Sequence, residues 1–134
     1  MRSRIILGLL LVFGALATGT IATSGDGVGP ARQWALVKFT DPVMVSNQIL
    51  MGTYLIRHDD EKMARGEACT TFYRFDAEKG PQEEAVSFHC IPAMKQVVDR
   101  LTLTKIDHST LGFSRLTEYQ FAGDCEAHGI PLKP

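Results

Sequence analysis

Residues 69–75 read CTTFYRF and residues 85–91 read AVSFHCI. In the first run Cys69, Thr71, Tyr73 and Phe75 fall on one face. In the second, Val86, Phe88 and Cys90 fall on one face, with Ser87 and His89 on the other. A repeat of two places side chains alternately on the two faces of an extended chain, so both runs read as half-buried strands. Residues 76–84 between them are polar, with Gly80-Pro81 near the centre, so the two runs form a hairpin.

Working outward, the same logic finds more strands. Residues 34–39 (WALVKF) alternate Trp34, Leu36 and Lys38 against Ala35, Val37 and Phe39. Asp41-Pro42 then reads as a turn, residues 43–45 as a short second strand, and Ser46-Asn47 as another turn before Ile49 and Leu50. Gly52 breaks or bulges the returning strand, which resumes over residues 53–57 (TYLIR). Residues 59–66 differ: one or two helical turns, capped by Asp59 or Asp60, with Glu61 and Arg65 four apart and Gly66 at the end, fit the stretch, and a structured loop fits it equally well.

Downstream, Pro92 stops the strand and residues 93–98 read as a helical turn. Residues 100–106 (RLTLTKI) and 115–121 alternate again. The tail from Gly123 has no period and is expected on the surface. About seven to eight short strands with polar turns predict an all-β domain, an antiparallel β-sandwich or small barrel.

The N-terminus predicts export. Arg2 and Arg4 precede an apolar run over residues 5–17, and Ala15-Leu16-Ala17 is a small-residue cleavage signal, with a second after Ala22. The run is shorter than the roughly 20 apolar residues of a membrane span. Residues 1–22 therefore read as a signal peptide, the Gly-rich 23–33 as a flexible arm, and 34–134 as one domain, secreted or periplasmic. Two of the 14 basic side chains leave with the leader, so 12 remain against 15 acidic ones. They are interspersed, which argues against nucleic acid or an anionic membrane surface as partner.

Residues 39–60 (FTDPVMVSNQILMGTYLIRHDD) and 118–131 (EYQFAGDCEAHGIP) carry a resemblance to small secreted bacterial β-domains of uncharacterised function. In those domains a short strand and turn precede a leucine-proline-glycine-threonine-tyrosine run; here Met51 stands in place of the proline. The resemblance implies a β-sandwich-like fold and secretion, and no activity.

Three cysteines in an oxidising compartment allow at most one internal bridge. Cys69 and Cys90 are the favoured pair, on facing strands, closing a loop of about 20 residues for roughly 3 kcal/mol. Two buried free thiols, or a bridge to Cys125, are the alternatives; a spare Cys125 suits covalent dimerisation. His58 beside Asp59, His89 beside Cys90, and His128 three residues after Cys125 are candidate ligands for copper or zinc. Neighbours on a strand face opposite ways, so His89 and Cys90 are not expected to share an ion. No nucleophile elbow or paired-carboxylate pattern points to catalysis; His58-Asp59-Asp60-Glu61 reads as a solvated charge cluster. Phe72 and Tyr73 face opposite ways, so one leaves the core and offers an aromatic surface to a glycan or peptide. The leading expectation is a binding or assembly module with a protein or glycan partner, and the rival is a small periplasmic metal-binding protein with copper or zinc as its cofactor.

Overall fold

The computed structural model describes residues 32–132, so the expected signal peptide and the expected arm as far as residue 31 lie outside the described residues, while Arg32 and Gln33, expected in that arm, begin the first strand. Among the described residues eight strands in one mixed sheet curl into a half-barrel. They are β1 (Arg32–Val45), β2 (Gln48–Asp59), β3 (Thr70–Asp76), β4 (Gly80–Phe88), β5 (Ile91–Met94), β6 (Thr102–His108), β7 (Phe113–Gln120) and β8 (Glu126–Gly129). One short helix, α1 (Asp60–Ala64), joins β2 to β3. None of the helices among the described residues is long and apolar enough to cross a membrane.

The all-β expectation holds, and the hairpin of residues 69–91 forms as β3 and β4. The Ser46-Asn47 turn also forms, with Val45 opposite Gln48 and Ser46 in the left-handed region at φ 55°. Asp41-Pro42 does not end a strand. Phe39 pairs with Gly52 and Val43 with Leu50, so residues 40–42 bulge against Met51 alone. Proline lacks the N–H that a regular ladder needs, and a bulge is where a strand tolerates it. Gly52 accommodates the irregularity from the other side with φ 103°.

That bulge bends β1, and the strand beyond it reaches a second partner. Val43, Met44 and Val45 run parallel to Ser114, Arg115 and Leu116 of β7. The sheet is therefore mixed, where alternation alone suggested an antiparallel one. The whole of β7 pairs with β6 on one side, while β1 and then β8 share its other edge.

The tail is the largest departure. β8 is a strand within the sheet, between β7 and β5, and both Ala127 and His128 are fully buried. Its sequence, EAHG, has no hydrophobic period to signal it. Its place is set by backbone ladders on both edges, Tyr119 opposite His128 and Pro92 opposite His128. For the same reason residues 93–98 make no helical turn: the chain is extended through Met94 to pair with Glu126.

Inside the curl lie Val43, Val45, Tyr54, Ile56, Phe72, Phe88, Leu116 and Tyr119, all essentially solvent-free. Phe72 is the inward member of the Phe72–Tyr73 pair, and Tyr73 is half-buried. A groove of about 400 Å³ is walled by Trp34, Leu55, Phe75 and Pro81 with Arg32 and Arg57.

A chain ending at Ala122 is expected to lose cooperative thermal unfolding, because β5 and β7 each lose a neighbour. Near-UV circular dichroism through a melt checks this. A stability within about 0.5 kcal/mol of the intact chain, as for an inert surface tail, would contradict the placement of β8.

Candidate metal centre

His58 lies near the end of β2 and alternates inward with Tyr54 and Ile56, which leaves its ring fully buried. Asp59 then turns the chain: its carboxylate accepts from the N–H groups of Glu61 (3.0 Å) and Lys62 (3.2 Å) and caps α1. Gly66, at φ 72°, closes the helix by donating to the Met63 carbonyl at 3.0 Å. Of the helical turn and the structured loop that the sequence left open, the chain adopts the helix. The excursion returns to its start, since the Asp59 N–H donates to the Cys69 carbonyl at 3.0 Å. Cys69 donates its own N–H to the Phe88 carbonyl, extending the ladder just ahead of β3.

Cys90 sits between β4 and β5 and is the hub. The Cys69 thiol contacts Cys90 Sγ at 3.2 Å, and the Cys90 N–H donates back to Cys69 Sγ at 3.3 Å. His58 Nε2 stands 3.4 Å from Cys90 Sγ, His128 Nδ1 3.5 Å, and Met63 Sδ 3.7 Å. The two imidazoles lie 4.1 Å apart centre to centre. Tyr119 stacks on His128 at 4.9 Å and Phe121 meets it edge-on. The donor atoms of His58, Cys69 and Cys90 all fall within 4.8 Å of one another, and all three residues are buried. His128 reaches this trio through Cys90.

The sequence candidates therefore divide. His58 and His128 meet at the thiols. His89 is exposed, and its Nδ1–H donates to the Glu67 carbonyl at 2.9 Å, which occupies that nitrogen even though it passes 3.9 Å from Cys69 Sγ. Cys125 is exposed while His128 faces the core, so the C-x-x-H pair does not converge. Cys69 and Cys90 stand together, as their pairing required, and both are free thiols. Met63 was not anticipated, because nothing in its local sequence sets it apart from a core methionine.

Burial governs the electrostatics. It holds the His58 imidazole below its usual range, against the pull of Asp60 and Asp59. It pushes His128 down to about 4, with the neighbouring His58 adding to the effect. It pushes the Cys90 thiol up to about 12, with the Cys69 thiol as second cause. Cys90 thus keeps its proton beside neutral imidazoles, and a bound cation is what would release it. Two ring nitrogens remain unsatisfied. His128 Nε2 is buried with no hydrogen-bond partner among the described residues. His58 Nδ1 lies 3.2 Å from Asp60 Oδ1, but too poorly aligned to form a hydrogen bond. Buried polar atoms left in this state are destabilising, and native structures hold few of them.

Comparison with family models, curated proteins and solved structures finds no match to this chain. The site must be read from its own chemistry.

The metal-free protein is expected to lose stability on acidification. His128 binds its proton at about 4 in the folded state, whereas an unfolded histidine does so near 6.5. Between those values the unfolded chain takes up protons first, so stability falls as pH drops through that window, by up to about 3 kcal/mol. Urea unfolding at both ends of the window measures it. A flat profile would mean that the folded state already accommodates charged imidazoles.

Proposed function

We propose that this chain is a small metal-binding protein that holds one zinc- or copper-class ion at His58, Cys69 and Cys90, with His128 and Met63 beside the remaining position. The observation that carries this reading is the compactness of the trio, with donor atoms within 4.8 Å of one another in a buried site. Thiolate and imidazole bonds of 2.3 and 2.0 Å to one tetrahedral ion place such donors about 3.5 to 3.8 Å apart. The His58–Cys90 separation of 3.4 Å is already near that spacing, and the 3.2 Å between the sulfurs needs to open by only about half an ångström. Thiolate and imidazole are soft to borderline ligands, which favours zinc or copper over magnesium, calcium or manganese. The burial of the ligands suits retention of an ion rather than turnover of a substrate.

A second reading keeps the same sulfurs and joins them. The contact between Cys69 and Cys90 also favours a disulfide-stapled binding module, in keeping with an exported chain in an oxidising compartment. Its partner surface would be the groove beside Trp34, which is 66% exposed. A protein or glycan would be the partner.

Titration of the reduced protein with Zn(II) against a chromophoric chelator separates the two. One equivalent bound, lost in both Cys69→Ser and Cys90→Ser, is the expected result. No binding, with a protein mass two hydrogens light after export, would replace the metal reading with the disulfide one.

A further inference from the structure

We propose that the ion this centre selects is monovalent copper, and that Met63 is its third sulfur ligand. The inference rests on the metal-binding reading above and narrows it to one metal.

Met63 is carried by α1, a helix too short to be stable by itself. The Asp59–Cys69 backbone bond brings the two ends of this excursion together. A tight connection would therefore have served to join β2 to β3. Instead the chain loops out through residues 60–68 and lays one thioether against Cys90, 3.7 Å from its sulfur. The loop is fastened at both ends. Asp59 caps the helix, and Arg65 bridges Glu61 at 3.2 Å and Glu67 at 2.8 Å. These contacts fasten the loop that sets Met63 Sδ against Cys90 Sγ. Of the five donors gathered around Cys90, Met63 alone is half-buried, and the other four are buried. It forms the outer side of the site.

The plainer account is that Met63 fills a gap, as flexible methionines do in many cores. Any unbranched apolar side chain would serve that purpose, and the account predicts no difference between ions. The donor set argues for more. Thioether sulfur is a weak ligand for zinc and a good one for Cu(I). The compact trio supplies two thiols and one imidazole, and Met63 adds a third sulfur next to them. No carboxylate belongs to the trio. Asp60 Oδ1 stands 3.2 Å from His58 Nδ1, the nitrogen turned away from the sulfurs, while Glu126 Oε1 stands 3.8 Å from His128 Nδ1, the nitrogen that faces Cys90.

The test compares the reduced protein with its Met63→Leu variant, a change that conserves volume at a half-buried position. Cu(I) and Zn(II) affinities are measured separately under anaerobic conditions by competition with chromophoric chelators. X-ray absorption on the Cu(I)-loaded wild type counts sulfur neighbours. The expected result is that Cu(I) displaces Zn(II), and that three sulfurs surround copper. Met63→Leu should weaken Cu(I) binding roughly tenfold or more, the scale on which supporting groups act at metal sites, and leave Zn(II) binding unchanged. Zinc retained against Cu(I), or an equal effect of the variant on both ions, would overturn the copper assignment while leaving the metal site in place. Two sulfurs around copper in the wild type would overturn the role of Met63 even if the variant failed to fold. Binding of neither ion would overturn the metal-binding reading itself.

Discussion

The hydroxyl of Tyr119 meets Thr70 Oγ1 at 2.5 Å, and the interior of the molecule is organised around that bond. Tyr119 belongs to β7 and Thr70 to β3, which are separated in the sheet by β2 and β1. The bond therefore spans the inside of the curl and ties its two flanks. Burial pushes the Tyr119 pKa upward, so the hydroxyl keeps its proton and the bond is a neutral one. The ring adds apolar contacts in three directions: edge-on to Phe72, edge-on to Phe121 and stacked on His128. Aromatic pairs of this kind contribute roughly 0.5–1.5 kcal/mol each beyond their buried area. The same residue thus closes the half-barrel and fixes the plane of one candidate ligand.

Closing the curl there determines what the core must contain. Along β2, His58 follows Tyr54 and Ile56 on the inward face, and His128 is opposite Tyr119, so two imidazoles enter the end of an otherwise apolar interior. Cys69, bonded through its backbone to both Phe88 and Asp59 just ahead of β3, and Cys90, between β4 and β5, arrive at the same end. There their sulfurs lie 3.2 Å apart. The two ring nitrogens turned away from the sulfurs, His58 Nδ1 and His128 Nε2, are buried without hydrogen-bond partners among the described residues. An ion at the sulfurs would engage the opposite nitrogens, His58 Nε2 and His128 Nδ1, which face Cys90.

Much of this was legible in residue spacing, and the rest failed for identifiable reasons. The alternation in residues 69–75 and 85–91 reported two strands correctly, since a half-buried strand writes a period of two into its own sequence. Its faces were less legible. Tyr73 and Phe75 looked like core partners of Cys69, yet Thr70 and Phe72 point inward, and Thr70 is polar because it serves Tyr119. Asp41-Pro42 looked like a turn because its local chemistry is that of a turn, and the structure uses it as a bulge instead. β8 was invisible because four residues paired on both edges need no hydrophobic period. With β8 unseen, His128 could be named as a ligand but not placed beside Cys90. The donors run from residue 58 to residue 128 on five separate segments, so no local spacing could announce the cluster.

The two readings of the site compete for the same two sulfurs. A disulfide between Cys69 and Cys90 would take both thiolates out of the trio and leave His58 as its one remaining donor. A bound ion would in turn engage both sulfurs and shield them from oxidation. A disulfide and a bound ion would therefore exclude each other at this pair. What selects between them is whether metal reaches the thiols before an oxidant does. Cys69 and Cys90 are almost fully buried, which slows attack by any bulky disulfide on either sulfur. If the centre holds an ion, that burial would keep the reduced pair available to it, with Met63 on the half-buried outer side.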